Sequence, residues 1–305
     1  MKLVECVPNF SEGRRKEVVE TIVREIREVE GCIILDYSMD PDHNRAVVTF
    51  FGEPEPVKEA AFRTCKKAVE LINMEKHRGQ HPRIGACDVI PFIPLNGITM
   101  RECVEISQEV ARRIWEELQV PTYLYGESAR SPGRKRLSDI RRGEYEGLKK
   151  EVGLPERRPD FGEPRLHPTA GATAVGARDI LIAFNINLNT SDLSIAKKIA
   201  RALRESSGGL AKVQARGMMM SSRGFAQVSM NLLNFRVTSI FDVFQAVKSE
   251  AEKLGVTVLS SEIVGLLPIA AMIDTFSRFL KLEGVTRDNV LEMKLWKSGV
   301  PYFPE

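Results

Sequence analysis

The sequence predicts an α+β protein made of two tandem β-α-β-β-α-β subdomains with extra elements, and three observations carry that prediction. Short segments of alternating apolar residues are separated by segments with helical apolar spacing, and the same order of elements occurs twice. A stretch rich in Pro, Gly and Arg lies between the two occurrences. The length of 305 residues agrees, because single cores stop growing above roughly 250 residues.

Residues 2–8 alternate with apolar Leu3, Cys6 and Val7 and predict a strand. Val18, Val19, Ile22, Val23, Ile26 and Val29 make one helical stripe, with Gly31 expected as its C-terminal cap. Strands follow over 32–36 and 45–51, and Pro54 opens a second helix carrying Val57, Ala61, Cys65, Ala68 and Ile72. A strand over 84–95 completes the split βαβ, or ferredoxin-like, order; a helix over 99–119 and a strand over 122–126 are added to it.

The second half repeats the pattern: strand 179–188, helix 193–204, strands 212–219 and 225–233, helix 240–254 and strand 256–266. Pro268 then begins a further helix to 282, and two prolines end regular structure over 301–305. The expected subdomains are 1–180 and 181–305. The irregular stretch 155–176 reads as a long loop, and a ligand channel between the two subdomains, with this loop as a wall, is the expected binding site.

Composition narrows the function. Apolar residues make up 43% and charged residues 28%, as in ordinary globular chains, and 44 Lys plus Arg against 41 Asp plus Glu give only +3. That balance lacks the broad basic field of an electrostatic nucleic-acid binder. The apolar run 263–273 is too short to span a bilayer and holds Pro268, no signal peptide is evident, and five scattered cysteines suggest neither a disulfide framework nor a thiolate zinc site. A cytoplasmic protein with no membrane or nucleic-acid partner is expected.

The four histidines are His43, His77, His81 and His167. His77-Arg78-Gly79-Gln80-His81-Pro82-Arg83 places two of them beside cations in a turn fixed by Gly79 and Pro82. A loop histidine at a sheet edge can take and return a proton near neutrality; the alternative is an ordinary histidine in a polar turn. The spacing of His77 and His81 suits zinc only on a helix, which Gly79 and Pro82 oppose, so no metal is expected. Cys87 reads as a core residue rather than a nucleophile. The glycines of 171–178 lack the Lys-Ser/Thr of a phosphate loop and precede a strand, whereas such a loop follows one. Arg223-Gly224-Phe225-Ala226-Gln227-Val228 begins like an RNA-binding strand, but Gln227 and Met230 replace its stacking aromatics. Single-stranded RNA binding is therefore the different-class alternative. Arg130, Arg134, Lys135, Arg136, Arg141 and Arg142 form a basic cluster that reads as a solvated loop or as a polyanion dock.

Val4-Glu5-Cys6-Val7-Pro8-Asn9-Phe10-Ser11-Glu12-Gly13, with His77-Arg78-Gly79-Gln80-His81-Pro82-Arg83-Ile84-Gly85-Ala86-Cys87-Asp88, closely resembles the glutamate formimidoyltransferase family. Further matches are Pro91-Phe92-Ile93-Pro94, Tyr123-Leu124-Tyr125-Gly126-Glu127, Asp160-Phe161-Gly162, 171–178, 182–188 and 226–233, so the resemblance spans nearly the whole chain. It implies transfer of a formimidoyl group from N-formimidoyl-L-glutamate to N5 of tetrahydrofolate, with folate bound in the channel between two ferredoxin-like subdomains. Its catalytic histidine maps onto His81. Its folate-contacting loop falls on Gly162, Glu163, Pro164, Arg165, Leu166, His167, Pro168, Thr169, Ala170 and Gly171, where His167 is either a folate contact or an exposed loop residue.

From residue type and adjacency, Arg83 is a candidate for substrate carboxylates, and Asn9 and Asn44 are candidates for the amidine. No tightly bound cofactor is implied, because tetrahydrofolate is a co-substrate, and its polyglutamate tail suits the basic cluster. A separate cyclodeaminase is expected to process the product. A homodimer is the default assembly. The alternative within the same fold is a formimidoyl-glycine or 5-formyltetrahydrofolate substrate.

Overall fold

A computed structural model of the chain describes residues 1–299, and the expected end of regular structure at 301–305 lies outside them. The chain divides into two compact units that meet at Asp179 and Ile180. It is an α+β protein with one ferredoxin-like sheet in each unit.

In the first unit β1 (Leu3–Cys6) and β2 (Asn9–Phe10) are two pieces of one strand broken at Val7 and Pro8, where proline lacks the N–H for the ladder. They are followed by α1 (Lys16–Arg27), β3 (Cys32–Asp40), β4 (Arg45–Gly52), α2 (Pro54–Leu71), β5 (Cys87–Asn96), α3 (Met100–Leu118) and β6 (Thr122–Gly126). Two short helices, α4 (Leu137–Ile140) and α5 (Glu144–Glu151), and strand β7 (Thr173–Ala177) complete the unit. β3, β4, β1/β2 and β5 pair antiparallel in that spatial order, and β7 and β6 extend the sheet in parallel.

The helices pack where their stripes predict. Val18, Val19, Ile22, Val23 and Ile26 of α1 are buried, as are Val57, Ala61, Cys65 and Ala68 of α2, against Phe10, Phe50 and Phe92 of the sheet. Each such large side chain contributes about 1.5–3 kcal/mol when taken from water. Thr99 and Glu102 form a capping box at the start of α3, satisfying N–H groups that the first turn cannot. Gly31 has φ 86°, but it stands three residues past the C-cap Glu28 and turns the chain into β3.

The stretch expected as loop over 155–176 holds a central strand. β7, Thr-Ala-Val-Gly-Ala, is buried at every position between β5 and β6. A parallel strand covered on both faces shows no alternation, which is why its sequence lacks a strand signature.

The second unit contains β8 (Ile182–Leu188), α6 (Leu193–Leu203), β9 (Val213–Met220), β10 (Phe225–Leu232), α7 (Ile240–Lys253) and β11 (Val258–Val264), all antiparallel in the order β11-β8-β10-β9. Ile182, Phe184, Ile186 and Leu188 of β8 meet Ile199 and Leu203 of α6 and Val243 and Val247 of α7 in the second core. Two further helices, α8 (Ile269–Leu280) and α9 (Leu291–Lys297), follow. Among the described residues no helix is long and apolar enough to cross a membrane.

Candidate active site

The turn between α2 and β5 carries His77, His81 and Arg83 and is irregular over 73–86. It is held by the hairpin joining β3 to β4. Gln80 N–H donates to Asp42 O at 3.0 Å, and the Asn44 amide donates to Arg78 O at 2.9 Å and accepts from Gly13 N–H at 3.0 Å. A Cβ on Gly79 would lie 2.3 Å from His43 O, so only glycine lets turn and hairpin approach so closely.

This packing gathers Phe10, Ser11, His43, Asn44, Arg45, His77, His81, Arg83 and Asp88 around one crevice. His81 is half-buried, its Nε2 is 2.6 Å from Arg45 Nη1, and its ring centroid is 6.0 Å from that of buried His43. His43 is fastened by Asp40, whose carboxylate accepts its backbone N–H at 2.8 Å. Arginine can only donate, so Nε2 of His81 is the lone-pair nitrogen in this arrangement.

His77 has a different position. Its Nδ1 accepts from Arg83 Nε at 3.1 Å, so its Nε2 carries the proton and donates to Asn44 O at 2.9 Å. Burial, with help from Arg83, lowers its pKa below the ordinary histidine value despite the bond to Asn44. Both ring nitrogens are engaged, so a metal could be ligated by His77 only after these bonds broke.

Arg83, expected at a substrate carboxylate, is buried and bonded to carboxylates of this chain. It donates to Glu146 at 2.6 and 2.8 Å and to Glu144 at 2.7 Å. Burial opposes its charge, but these two carboxylates outweigh it and raise its pKa. Asn44 likewise spends its amide on Gly13 and Arg78, while the Asn9 amide donates to Val7 O at 3.0 Å.

Arg45 and Asp88, neither of them a candidate site residue in the sequence, complete the cluster. Arg45 opens β4; burial first, then Arg141, pulls its pKa down to about 10 against the opposing effect of Asp40 and Asp88, and its Nε is buried without a hydrogen-bond partner. Asp88 is buried, accepts Ile84 N–H at 2.7 Å and pairs with Arg141. Cys87 beside it lies in the core, and burial pushes its thiol well above the usual range, as suits a packing residue.

The 162–171 loop is docked on the same turn. Ala86 N–H donates to Ala170 O at 2.8 Å, Ala172 N–H to Ile84 O at 3.0 Å, and Met74 N–H to Thr169 O at 2.7 Å. A Cβ on Gly85 would lie 2.0 Å from Ala172 O. His167 is half-buried and pins the turn, its Nδ1 accepting from Ala170 N–H at 3.0 Å and Thr169 N–H at 3.3 Å; burial lowers its pKa. Gly162, Glu163, Pro164, Arg165 and Pro168 are exposed, whereas Leu166 and Thr169 are half-buried and Ala170 and Gly171 are buried.

The basic cluster divides. Arg134 pairs with Asp160 at 2.6 Å and Arg141 with Asp88, while Arg130, Lys135, Arg136 and Arg142 are exposed. Arg130 and Arg112 flank Phe161, 4.7 and 5.6 Å from its centroid, directly before the loop.

Comparisons with known proteins place the whole chain in a family. Residues 3–178 match the model of the formiminotransferase domain, N-terminal subdomain, and residues 183–294 match that of the formiminotransferase domain. The chain is 47% identical over 282 residues to a glutamate formimidoyltransferase of Streptococcus pyogenes serotype M1, covering 92% of this chain and 94% of that protein. It is 46% identical over 301 residues to a glutamate formimidoyltransferase of Thermoplasma acidophilum, covering 98% and 99%. It is 48% identical over 279 residues to the formimidoyltransferase-cyclodeaminase of Mus musculus, covering 90% of this chain and 51% of that longer protein. A docked loop, a histidine turn and two ferredoxin-like sheets thus accompany matches over both units: the chain belongs to the formiminotransferase domain family.

Proposed function

We propose that this protein transfers the formimidoyl group of N-formimidoyl-L-glutamate to N5 of tetrahydrofolate, with His81 as the acid/base. The observation that carries the proposal is the joining of the His81 turn and the 162–171 loop by the backbone bonds of Ala86 to Ala170 and Ala172 to Ile84. Relatives of full length that are named for this activity support the choice of donor.

The reaction balances without electron transfer. N5 attacks the amidine carbon, the carbon–nitrogen bond to glutamate breaks, one proton leaves N5, and one proton is taken up by the departing glutamate nitrogen. A single imidazole can carry that proton from the first nitrogen to the second. Nε2 of His81 carries the lone pair and accepts the N5 proton once bound substrate displaces its hydrogen bond from Arg45 Nη1. Tetrahydrofolate enters as a co-substrate, so the balanced step calls for no further redox group.

His77, Asn44 and Arg83 act as supports of the turn, since the His77 ring is spent on Asn44 O and Arg83, the Asn44 amide on Gly13 and Arg78, and the Arg83 guanidinium on Glu144 and Glu146. The loop 162–171 contacts folate, and its exposed residues are the ones open to the ligand. Arg130, Lys135, Arg136 and Arg142 are positioned in sequence and exposure to meet the carboxylates of a polyglutamate tail. The product is a substrate for a cyclodeaminase activity, and the five free cysteines suit a reducing cytoplasm.

The test is a turnover assay with tetrahydrofolate, a coupled cyclodeaminase and three donors in parallel. Formimidoyl-glutamate is expected to turn over, and formimidoyl-glycine and 5-formyltetrahydrofolate are expected not to. Turnover restricted to either of the latter would overturn the donor assignment.

A further inference from the structure

The crevice beside His81 holds a guanidinium that the chain itself leaves incompletely paired. Ala46, Val48 and Phe50 of β4 enter the core with α1 and α2, so Arg45 points to the opposite face of the sheet. A charged group taken out of water is normally offset by a carboxylate. Two stand near, and both are spent elsewhere. Asp40 lies opposite Arg45 in the register of β3 and β4, but one of its oxygens accepts the His43 N–H at 2.8 Å and the other faces the His43 ring at 3.8 Å. Asp88 accepts the Ile84 N–H and pairs with Arg141. Among the described residues, neither forms an ion pair with Arg45.

The hydrogen bond that Arg45 does make runs from Nη1 to His81 Nε2 at 2.6 Å. Its Nε, on the other edge of the guanidinium, is buried with no hydrogen-bond partner. Buried donors of this kind are rare, because a lost partner costs the full desolvation of the group. Nε and Nη2 together form the fork that grips a carboxylate bidentately. Arg83, the other arginine lining the crevice, shows the satisfied case, with its guanidinium held by Glu144 and Glu146. The carboxylate missing at Arg45 comes from outside the chain.

We propose that the Nε and Nη2 edge of Arg45 receives the α-carboxylate of the amino-acid donor, and that this capture draws Nη1 away from His81 and unmasks Nε2 as the base. The inference rests on the transferase reading and adds to it the residue that reads the donor. In an N-formimidoyl amino acid the carboxyl carbon lies about 2.5 Å from the nitrogen that leaves, two bonds away through Cα. The group that protonates this nitrogen and the group that holds the carboxylate are therefore neighbours, as His81 and Arg45 are. The γ-carboxylate of glutamate stands two methylenes further off and is read elsewhere. A carboxylate offers the guanidinium a full negative charge and two acceptor oxygens, whereas the imidazole offers one neutral lone pair, so the exchange of partners runs toward the carboxylate. In the free protein the lone pair of Nε2 is occupied, and donor binding releases it to take the N5 proton.

The test is steady-state kinetics of the whole protein at saturating tetrahydrofolate with three donors: N-formimidoyl-L-glutamate, its α-carboxamide and its γ-carboxamide. The wild type is expected to lose kcat/KM by about 10–100-fold with the α-amide, the scale of removing one partner of a charged hydrogen bond. The loss should fall on kcat as well as KM, because the base stays masked. In Arg45→Gln the gap between acid and α-amide is expected to shrink to about threefold or less, since the fork that told them apart is gone. The penalty for the γ-amide should keep its wild-type value, a pattern that a merely structural defect does not produce. Arg45→Met carries the same comparison if circular dichroism shows the glutamine variant unfolded, and single turnovers with excess protein read a slow variant. Turnover of the α-amide by the wild type as fast as the acid overturns the carboxylate assignment. A gap between acid and α-amide that is unchanged in the variants gives the carboxylate to another residue and also overturns it. Both of these outcomes leave the transferase reading standing, whereas no turnover of any donor by the wild type removes both readings together.

Discussion

Arg45 Nη1 lies 2.6 Å from His81 Nε2, and because a guanidinium has only hydrogens to give, it fixes which imidazole nitrogen presents a lone pair. Arg45 is thus a positioning residue for the proposed base. Arg45→Gln is expected to fold and to lower kcat by about 10–100-fold, the scale of losing the partner that orients a functional histidine. KM for tetrahydrofolate should stay nearly unchanged. Added guanidinium at millimolar concentration should restore part of the rate, which a merely structural defect would not allow. Unchanged kcat in Arg45→Gln would remove it from the mechanism.

Gly85 joins the histidine turn to the 162–171 loop. A methyl group there meets Ala172 O at 2.0 Å and Ala170 O at 2.7 Å, both backbone atoms that cannot swing away. Gly85→Ala is expected to cost about 1–3 kcal/mol of stability, as overpacking does, and to weaken 5-formyltetrahydrofolate binding by separating the loop from the turn. Denaturant unfolding and calorimetry read the two effects. Normal folate affinity in the destabilised variant would show that the loop's docking is irrelevant to binding.

Stability should fall on mild acidification, with His77 as a main cause. The folded protein holds His77 and His167 below the ordinary histidine pKa by burial, while the unfolded chain takes up protons as pH drops through about 6.5. The unfolded state therefore binds more protons, and stability declines as pH falls through that range. The urea midpoint is expected to decrease between pH 8 and 5.5, and His77→Gln should flatten the decrease. A slope equally steep in the variant would assign the effect to other groups.

The chain's local patterns made most of the fold legible. The helical stripe from Val18 to Ile26 and the alternation of β8 are set by residues three, four or two positions apart, so they survive without knowledge of the partner elements. β7 did not show itself, because Thr173–Ala177 is buried on both sides by neighbours and carries small residues with no periodicity. The His81 turn was visible in its glycine and proline punctuation and in the family resemblance. Its supports were not. Arg45 reaches His81 across 36 positions, and Arg83 meets Glu144 and Glu146 across 61 and 63, contacts that no spacing rule encodes. A charged residue opening an otherwise apolar strand, as Arg45 does before Ala46-Val47-Val48, was the one available signal.

The most direct test of the account is kcat for His81→Ala with formimidoyl-glutamate and tetrahydrofolate, measured beside 5-formyltetrahydrofolate affinity and thermal unfolding of the same preparation. Near-normal folding and folate binding are expected, with kcat reduced by about 10²–10⁴-fold, the usual contribution of a positioned acid/base. Near-normal turnover in the folded variant would contradict it.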